Sequence, residues 1–494
     1  MSLFNLNSAL VLGAGESGIA AAKLLRAGGL EVTVYDQMRP EEARGAQERL
    51  QGLGAKWVLG PDAPHPGYFF DLWIVSPGVP LTAMGAPEAF RSQIPVLGEL
   101  ELAARVVNLP VVAVTGTNGK TTVAGLAAHI LAQVGRRPFL GGNIGNPYAN
   151  CALELQADPG RYDCAVLEVS SFQLETVSKF RAKGAAILNV TPDHLDRHGD
   201  FLSYFHGKWR IFQNQDATDW AILNDDEYLL VHKSHKARRF GFSLKEAPAH
   251  GGYVHRKGAK ETLKIIVDGK EAASVPWEEF ALKGRHNQGN VLAAVGLALS
   301  LGADPRKALE AARDFSVDDH RLQLIGEFDG VSYYDDSKAT NPGATIAALD
   351  NFKDKSVVLI AGGRDKGLDY GALLAPVTAK ARHLILLGEA ARTIARDLQG
   401  FAPITFVPSM RDAAVLASVV AKKGDVALLS PACASFDMFA NYKERGLAFQ
   451  KEVRRVFANP ESRAGAEPEG RAAAPRPAAP KKRRASAARG GEKG

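Results

Sequence analysis

Two hydrophobic rhythms alternate along the 494-residue chain. Short apolar, often β-branched runs (Ala9–Leu12, Leu72–Ser76, Val111–Val114) lead into segments whose apolar residues recur at helical spacing. After Val111–Val114, the residues Val123, Leu126, Ala127, Ile130 and Leu131 fall on one face of a helix opened by Lys120. Runs that are apolar throughout predict strands covered on both faces, as in parallel sheets sandwiched between helices. The alternation recurs at Asp163–Val169, Ala185–Val190, Val331–Tyr334, Val357–Ala361, Leu384–Leu387 and Val426–Leu429. Between about Arg239 and Leu282 it lapses, and GYVHRK and TLKIIVDGK alternate in period two as an antiparallel addition would. Ile94-Pro95-Val96 leads to a helix expected from about Leu97 and marks a boundary. The expected fold is α/β with three domains, 1–98, 99–316 and 317–458, each on a mostly parallel sheet, followed by a disordered basic tail at 459–494.

Composition changes this picture in two places. The net charge of +6 is not spread evenly: the tail holds nine Lys/Arg against four Asp/Glu, so only one net positive charge is left for the rest. A nucleic-acid-binding core is therefore not expected. Lys481-Lys482-Arg483-Arg484 could touch an anionic surface or serve only as a solvated tail. No run of about 18 apolar residues predicts membrane insertion, and the first residues (MSLFNLNSALVLGAG) lack the basic region of a signal peptide. Three scattered cysteines, Cys151, Cys164 and Cys433, give neither a disulfide framework nor metal-ligand spacing. A cytoplasmic location is expected.

The chemistry gathers at strand ends. Thr115-Gly116-Thr117-Asn118-Gly119-Lys120-Thr121-Thr122 joins the Val111 run to its helix. Small residues allow backbone N–H groups to face phosphates, the lysine adds a full positive charge, and a Thr hydroxyl can reach Mg²⁺. Only two residues separate Gly116 and Gly119, where the usual phosphate loop has four. Nearer the N-terminus, Gly13-Ala14-Gly15-Glu16-Ser17-Gly18 follows a strand, with Asp36 about 20 positions on for a ribose hydroxyl. That spacing suits NAD, but the same turn holds any nucleotide diphosphate, and glycines also serve close helix–strand packing. Gly78 ends another strand of that domain, where open α/β sheets bind ligands. Glu168 closes a strand beside the phosphate loop, where a Mg²⁺ ligand is needed. His194 sits in a His/Asp cluster after the next strand, as a cation or phosphate ligand or as a loop histidine. Asn287 and Asn290 share a helix face and could read an adenine edge, with N-capping as the competing role for Asn287. Lys208 has nothing physical to single it out and reads as a helix-surface lysine. In the third domain, polar and charged residues after four strands line one rim suited to a carboxylate or phosphate.

TGTNGKTT (115–122), GGNIGNP (141–147), LEVSSFQLE (167–175), NVTPDHLDRH (189–198), GRHNQGN (284–290), HR (320–321), DDSKATNP (335–342), GGRDK (362–366) and SPACASFDMF (430–439) occur in the order found in Mur ligases, which the chain resembles from about residue 5 to 455. The match is nearest to the branch of that family that adds D-glutamate to UDP-N-acetylmuramoyl-L-alanine. The DNPR motif of the meso-diaminopimelate-adding branch is absent, Asn118 stands where the L-alanine-adding branch usually has His, and folylpolyglutamate synthase lacks a first domain of this type.

The resemblance implies a Rossmann-like UDP domain, a P-loop-type ATP domain and a Rossmann-like amino-acid domain in a monomeric cytoplasmic ligase of peptidoglycan precursor synthesis. It implies ATP contacts from Gly116, Thr117, Asn118, Gly119, Lys120, Thr121, Thr122, Asn287, Arg321 and Asp336, one Mg²⁺ held by Thr121 and Glu168, and a second Mg²⁺ held by His194. Lys208 matches the lysine that is carbamylated in this family and then bridges metals. Lys120, Lys208 and His194 are the implied catalytic group. Ser17, Asp36, Gly78 and Asn143 would contact the UDP-sugar, and Thr340, Lys366, Ser435 and Phe436 would hold D-glutamate. The basic residue of the uridine stretch is Arg39, one place later than usual, and the basic tail has no counterpart. A nicotinamide-dependent oxidoreductase would leave the phosphate loop unexplained. A nucleotide-gated assembly protein would hydrolyse ATP without needing D-glutamate.

Overall fold

The computed structural model describes residues 6–38, 40–84, 86–143, 145–316, 320–365, 368–401 and 403–458. Arg39, Lys366 and the basic tail lie outside the described residues. The apolar runs become strands gathered into three sheets. The first holds β1 (Ser8–Leu12), β2 (Glu31–Asp36), β3 (Lys56–Leu59), β4 (Leu72–Val75) and β5 (Val96–Gly98), all parallel in the order β3-β2-β1-β4-β5. The helix expected from Leu97 starts instead at Glu99, because Leu97 is still paired in the sheet with Ile74.

The middle sheet has nine strands: β6 (Val111–Thr115), β7 (Pro138–Gly142), β8 (Cys164–Glu168), β9 (Gly184–Ile187), β10 (Trp220–Asn224), β11 (Arg238–Ser243), β12 (Gly251–Lys257), β13 (Lys260–Val267) and β14 (Lys270–Pro276). Their order is β14-β13-β12-β11-β10-β9-β6-β8-β7. The antiparallel part is the β12–β13–β14 meander, and β12 joins β11 in parallel. Every residue of β6 is buried, and its neighbours β8 and β9 both come later in the chain. The third sheet orders β15 (Gln323–Phe328), β16 (Val331–Asp335), β17 (Val357–Gly362), β18 (Ala381–Leu387), β19 (Ile404–Phe406) and β20 (Val426–Leu429) as β15-β16-β20-β17-β18-β19. Among its described strands only β15 runs antiparallel to its neighbour. The molecule is thus a mixed α/β protein on three mostly parallel sheets. Among the described residues no helix is long and apolar enough to cross a membrane.

The first two sheets share a hydrophobic core. Leu24, Leu25, Leu100 and Leu102 belong to the same buried cluster as Phe139, Tyr148 and Leu167. The third sheet packs its two faces into clusters of its own. The helix Glu99–Ala104 connects the first two sheets and carries two buried carboxylates. Glu101 accepts the backbone N–H groups of Ser178, Lys179 and Phe180 at 2.9–3.0 Å and pairs with Arg105 at 2.8 Å. Glu99 accepts from the Ala149 N–H at 2.5 Å through one oxygen, while Oε2 is buried with no hydrogen-bond partner among the described residues. Burial pushes its carboxyl up to about 7.

A carboxyl raised in the folded state binds its proton more tightly than in the unfolded chain. Its stabilising contribution is therefore complete below the unfolded value, near pH 4.5, and is lost as pH rises through about 7. Urea denaturation between pH 5 and 8 should show wild type losing up to about 3 kcal/mol relative to Glu99→Gln. Parallel pH profiles for the two proteins would remove Glu99 from this role.

Candidate functional site

A cleft of about 990 Å³ opens between the carboxyl ends of the middle sheet and the third sheet. Its floor is the turn after β6. Gly119 there is left-handed (φ +87°), and a Cβ on it would lie 2.6 Å from Asn290 Oδ1. Only glycine fits, because an L side chain is strained at that φ and would also collide with the asparagine. The loop is pinned from the segment after β9. Thr117 N–H donates to Asn189 O at 3.0 Å, Asn118 N–H donates to Asn189 Oδ1 at 2.9 Å, and Asn189 Nδ2 returns a bond to Asn118 O at 3.1 Å. The Thr117 hydroxyl donates to Thr191 O at 3.1 Å.

Two lysines converge on one carbonyl. Lys120 Nζ donates to Gly116 O at 2.9 Å and to Thr117 O at 2.8 Å, and Lys208 Nζ donates to Gly116 O at 3.0 Å. The surface role expected for Lys208 is overturned. Lys208 is 2% exposed, on the inner face of the helix Phe201–Trp209, with its ammonium 4.4 Å from the Tyr204 ring centroid. Desolvation holds its pKa well below the ordinary lysine value, and the positive Lys120 nearby adds to this. Desolvation likewise lowers Lys120, against the pull of Glu168 and Asp193.

Glu168 is buried at the end of β8 and accepts from the Thr121 hydroxyl at 2.7 Å and from Asn143 Nδ2 at 2.8 Å. Asn143 therefore lines the cleft with the phosphate loop. His194, left-handed at φ +54°, also lines it, its ring edge-on to Phe172 at 5.0 Å. Thr121 and Glu168 offer hard oxygen donors side by side. Among the described residues no trio of His, Cys, Asp or Glu converges into a metal cage.

Asn287 and Asn290 do share a face, but their amides bond each other at 2.8 Å, and Asn287 Nδ2 donates to Lys283 O at 2.8 Å. N-capping is not realised: Gly284 is the N-cap, and no side chain caps this helix. On the opposite wall, Asp336 accepts from the Ser430 hydroxyl at 2.7 Å and from the Leu322 N–H at 3.2 Å, and burial pushes its carboxyl up to about 7. Arg321 and Thr340 line the same wall.

The wall reaches the floor directly. Lys338 Nζ donates to the Thr121 hydroxyl at 3.2 Å, and Asn341 Nδ2 donates to Asn118 Oδ1 at 3.2 Å. The sequence pattern by itself assigns no role to Lys338 or Asn341, although both lie in the DDSKATNP motif. His286 and Tyr442 were also missed. His286 faces Arg321, and burial followed by that guanidinium takes its ring down to about 4. Tyr442 lines the cleft, with Lys338 Nζ 5.3 Å from its ring centroid. Phe436 stands outside the cleft, 69% exposed, and Ser435 is buried in the loop after β20. An aromatic a few positions past the SPACAS run is thus in the cleft, but it is Tyr442.

The first sheet presents a separate rim. Gly13 and Gly18 serve packing: a Cβ on Gly13 would lie 2.8 Å from Ser76, and one on Gly18 would enter the Gly13 carbonyl. Gly15 has open space, Ser17 is half-buried beside it, and Gly78 is exposed. Asp36 accepts from the Ala14 N–H at 2.7 Å. Arg197 ties this rim to the middle sheet, donating to Pro77 O and Val79 O and pairing with Glu175 at 2.6 Å.

Residues 114–298 match the family model described as Mur ligase middle domain, and residues 320–433 match that of the Mur ligase, glutamate ligase domain. The chain is 42% identical over 450 residues to the UDP-N-acetylmuramoylalanine–D-glutamate ligase of Koribacter versatilis, covering 90% of this chain and 97% of that protein. It is 40% identical over 448 residues to the protein of that name from Geobacter metallireducens, with the same coverage. Among solved structures it is similar to UDP-N-acetylmuramate-alanine ligase from Thermotoga maritima (TM-score 0.57, 20% identity, covering 92% of this chain and all of that one). At that identity the likeness is one of fold.

Gly119→Ala should lose about 1–2 kcal/mol from its left-handed backbone alone and weaken nucleotide binding at least about tenfold. Thermal melts and calorimetric ATP titration read the two effects. Wild-type affinity in a folded variant would show that the turn does not hold the nucleotide.

Proposed function

The chain belongs to the Mur ligase family, and on that premise we propose that it joins D-glutamate to UDP-N-acetylmuramoyl-L-alanine, using ATP, in cytoplasmic peptidoglycan precursor synthesis. The reading rests most on one observation: the phosphate loop and the rim of a second parallel sheet face each other across one cleft and touch through Thr121 and Lys338. A ligase that activates an acid with ATP and then presents an amine needs that juxtaposition.

The acid substrate is proposed to lie along the first sheet's rim, with Ser17, Asp36 and Gly78 at its UDP end and Asn143 nearer the cleft. ATP takes the phosphate loop, with Asn287, Arg321 and Asp336 around its nucleoside. A carboxylate oxygen of the acid bonds to the γ-phosphorus as the bond to ADP breaks, giving an acyl phosphate. The amine of D-glutamate then attacks the acyl carbon, loses a proton and expels phosphate, leaving the amide. Lys120 and the loop N–H groups stabilise charge on the transferring phosphoryl group. Thr340, Lys366 and Ser435 are proposed to hold the amino acid; Tyr442 replaces Phe436 as the aromatic of that wall.

The donor set fits Mg²⁺, which binds through one or two protein carboxylates together with phosphate oxygens and water rather than an all-protein cage. Thr121 and Glu168 would hold one ion and His194 a second, with Lys208 once carbamylated as a further ligand, and bound there they would neutralise phosphate charge. Lys208 is suited to carbamylation because only a neutral amine attacks CO₂, and burial beside Lys120 favours that neutral form.

Phosphate release by the full chain with UDP-N-acetylmuramoyl-L-alanine, against a panel of L- and D-amino acids, tests the reading. Turnover should require D-glutamate; turnover with another amino acid, or with none, rejects it. Lys208→Ala should lose at least about 10³-fold in kcat and regain part of it with short carboxylic acids, while melting like wild type. A folded variant that no carboxylate rescues would rule out the carbamate.

A further inference from the structure

Arg445 is a charged residue in an expensive place. It is 2% exposed and lies near the N-terminal end of the helix Tyr442–Ala458, where the helix dipole disfavours a cation. Burial lowers its guanidinium to about 10. Its hydrogen bonds end on neutral oxygens: Nε on the Ser337 hydroxyl at 3.0 Å, one terminal nitrogen on Ser337 O at 2.8 Å, the other on Ala434 O at 3.1 Å. A buried cation bonded this way is weak evidence for stability, since an apolar side chain of similar volume often stabilises as well or better.

The acceptors explain what the guanidinium can do that an apolar residue cannot. Ser337 lies in the loop after β16, which carries Lys338, Thr340 and Asn341. The Ser337 hydroxyl passes the link on by donating to Tyr442 O at 2.8 Å. Ala434 lies in the loop after β20, next to Ser435. Its carbonyl also accepts the Arg364 N–H, at 2.9 Å, from the loop after β17. In sequence, that loop runs on to Lys366. The planar fork of one arginine therefore ties the loop that carries Thr340 to the loop that carries Ser435, and the Ala434 carbonyl it grips also holds the loop after β17 through the Arg364 N–H. Lysine has a single nitrogen and cannot reproduce the fork.

We infer that Arg445 is the positioning residue of the amino-acid subsite: it clamps the loops after β16 and β20 in one geometry, so that the residues facing the incoming dicarboxylic amino acid act as a unit. This rests on the proposed D-glutamate ligation. Arg445 touches neither the cleft nor the phosphate loop, so its loss acts through the loops it holds.

The full chain carrying Arg445→Lys is compared with wild type by steady-state kinetics for each of the three substrates and by amide hydrogen exchange. The variant should raise KM for D-glutamate at least about tenfold, with a change of less than about threefold for the UDP-sugar. Exchange should quicken in residues 336–341 and 432–437 and stay unchanged in residues 115–122. Arg445→Ala should show the same split and regain D-glutamate affinity with sub-denaturing guanidinium; if it does not fold, the lysine variant decides. An unchanged D-glutamate KM in folded Arg445→Lys, an equal rise for all substrates, or unchanged exchange in the two loops overturns the clamp. If wild type itself shows no D-glutamate-dependent turnover, the functional reading fails, and the exchange data alone decide whether Arg445 clamps the loops.

Discussion

The structure depends on how one carbonyl, that of Gly116, is shared. Lys120 from the helix after the loop and Lys208 from a helix far along the chain both donate to it. Two ammonium groups held this close raise each other's free energy when both are charged, and burial adds to the cost. The arrangement therefore lowers the pKa of both amines, and most that of Lys208. The difference between the two lysines thus follows from burial and mutual repulsion.

Holding that arrangement needs a rigid loop, and the rigidity comes from a neighbouring strand rather than from the loop itself. Asn189, just after β9, exchanges bonds with Thr117 and Asn118, while Asn290 closes the side where Gly119 has no Cβ. The loop lies where β6 is flanked by two later strands, the switch point at which doubly wound sheets leave a crevice. The third sheet then meets this crevice through polar contacts, among them Lys338 to Thr121 and Asn341 to Asn118. The first two sheets, by contrast, share an apolar core. Contacts of the polar kind can break and re-form with little loss of buried apolar area, which suits a domain that opens for substrates and closes over them.

The strands, their parallel arrangement, the antiparallel addition and the phosphate loop were legible in the sequence, because each depends on local pattern: apolar period, glycine placement and the Lys-Thr start of a helix. Glu168 was legible for the same reason, as a carboxylate ending an apolar run. Lys208, Tyr442 and Arg445 were not. Nothing near Lys208 distinguishes the inner face of its helix from the outer, and an aromatic after SPACAS could be Phe436 or Tyr442 on sequence alone. Asn287 and Asn290 were correctly placed on one face, yet the sequence could not say that their amides would satisfy each other.

What the sequence determined by itself was the set of elements and the chemistry at each strand end, since both follow from short-range sterics and hydrophobic period. Tertiary structure alone decided which of those ends meet. Burial of Lys208, the bridge from Lys338 to Thr121 and the grip of Arg445 on two loops join residues about 90 to 220 positions apart or set a group's solvation, and neither is written in local spacing. A charge has its ordinary chemistry in water, and only the packed fold decides how much water it keeps.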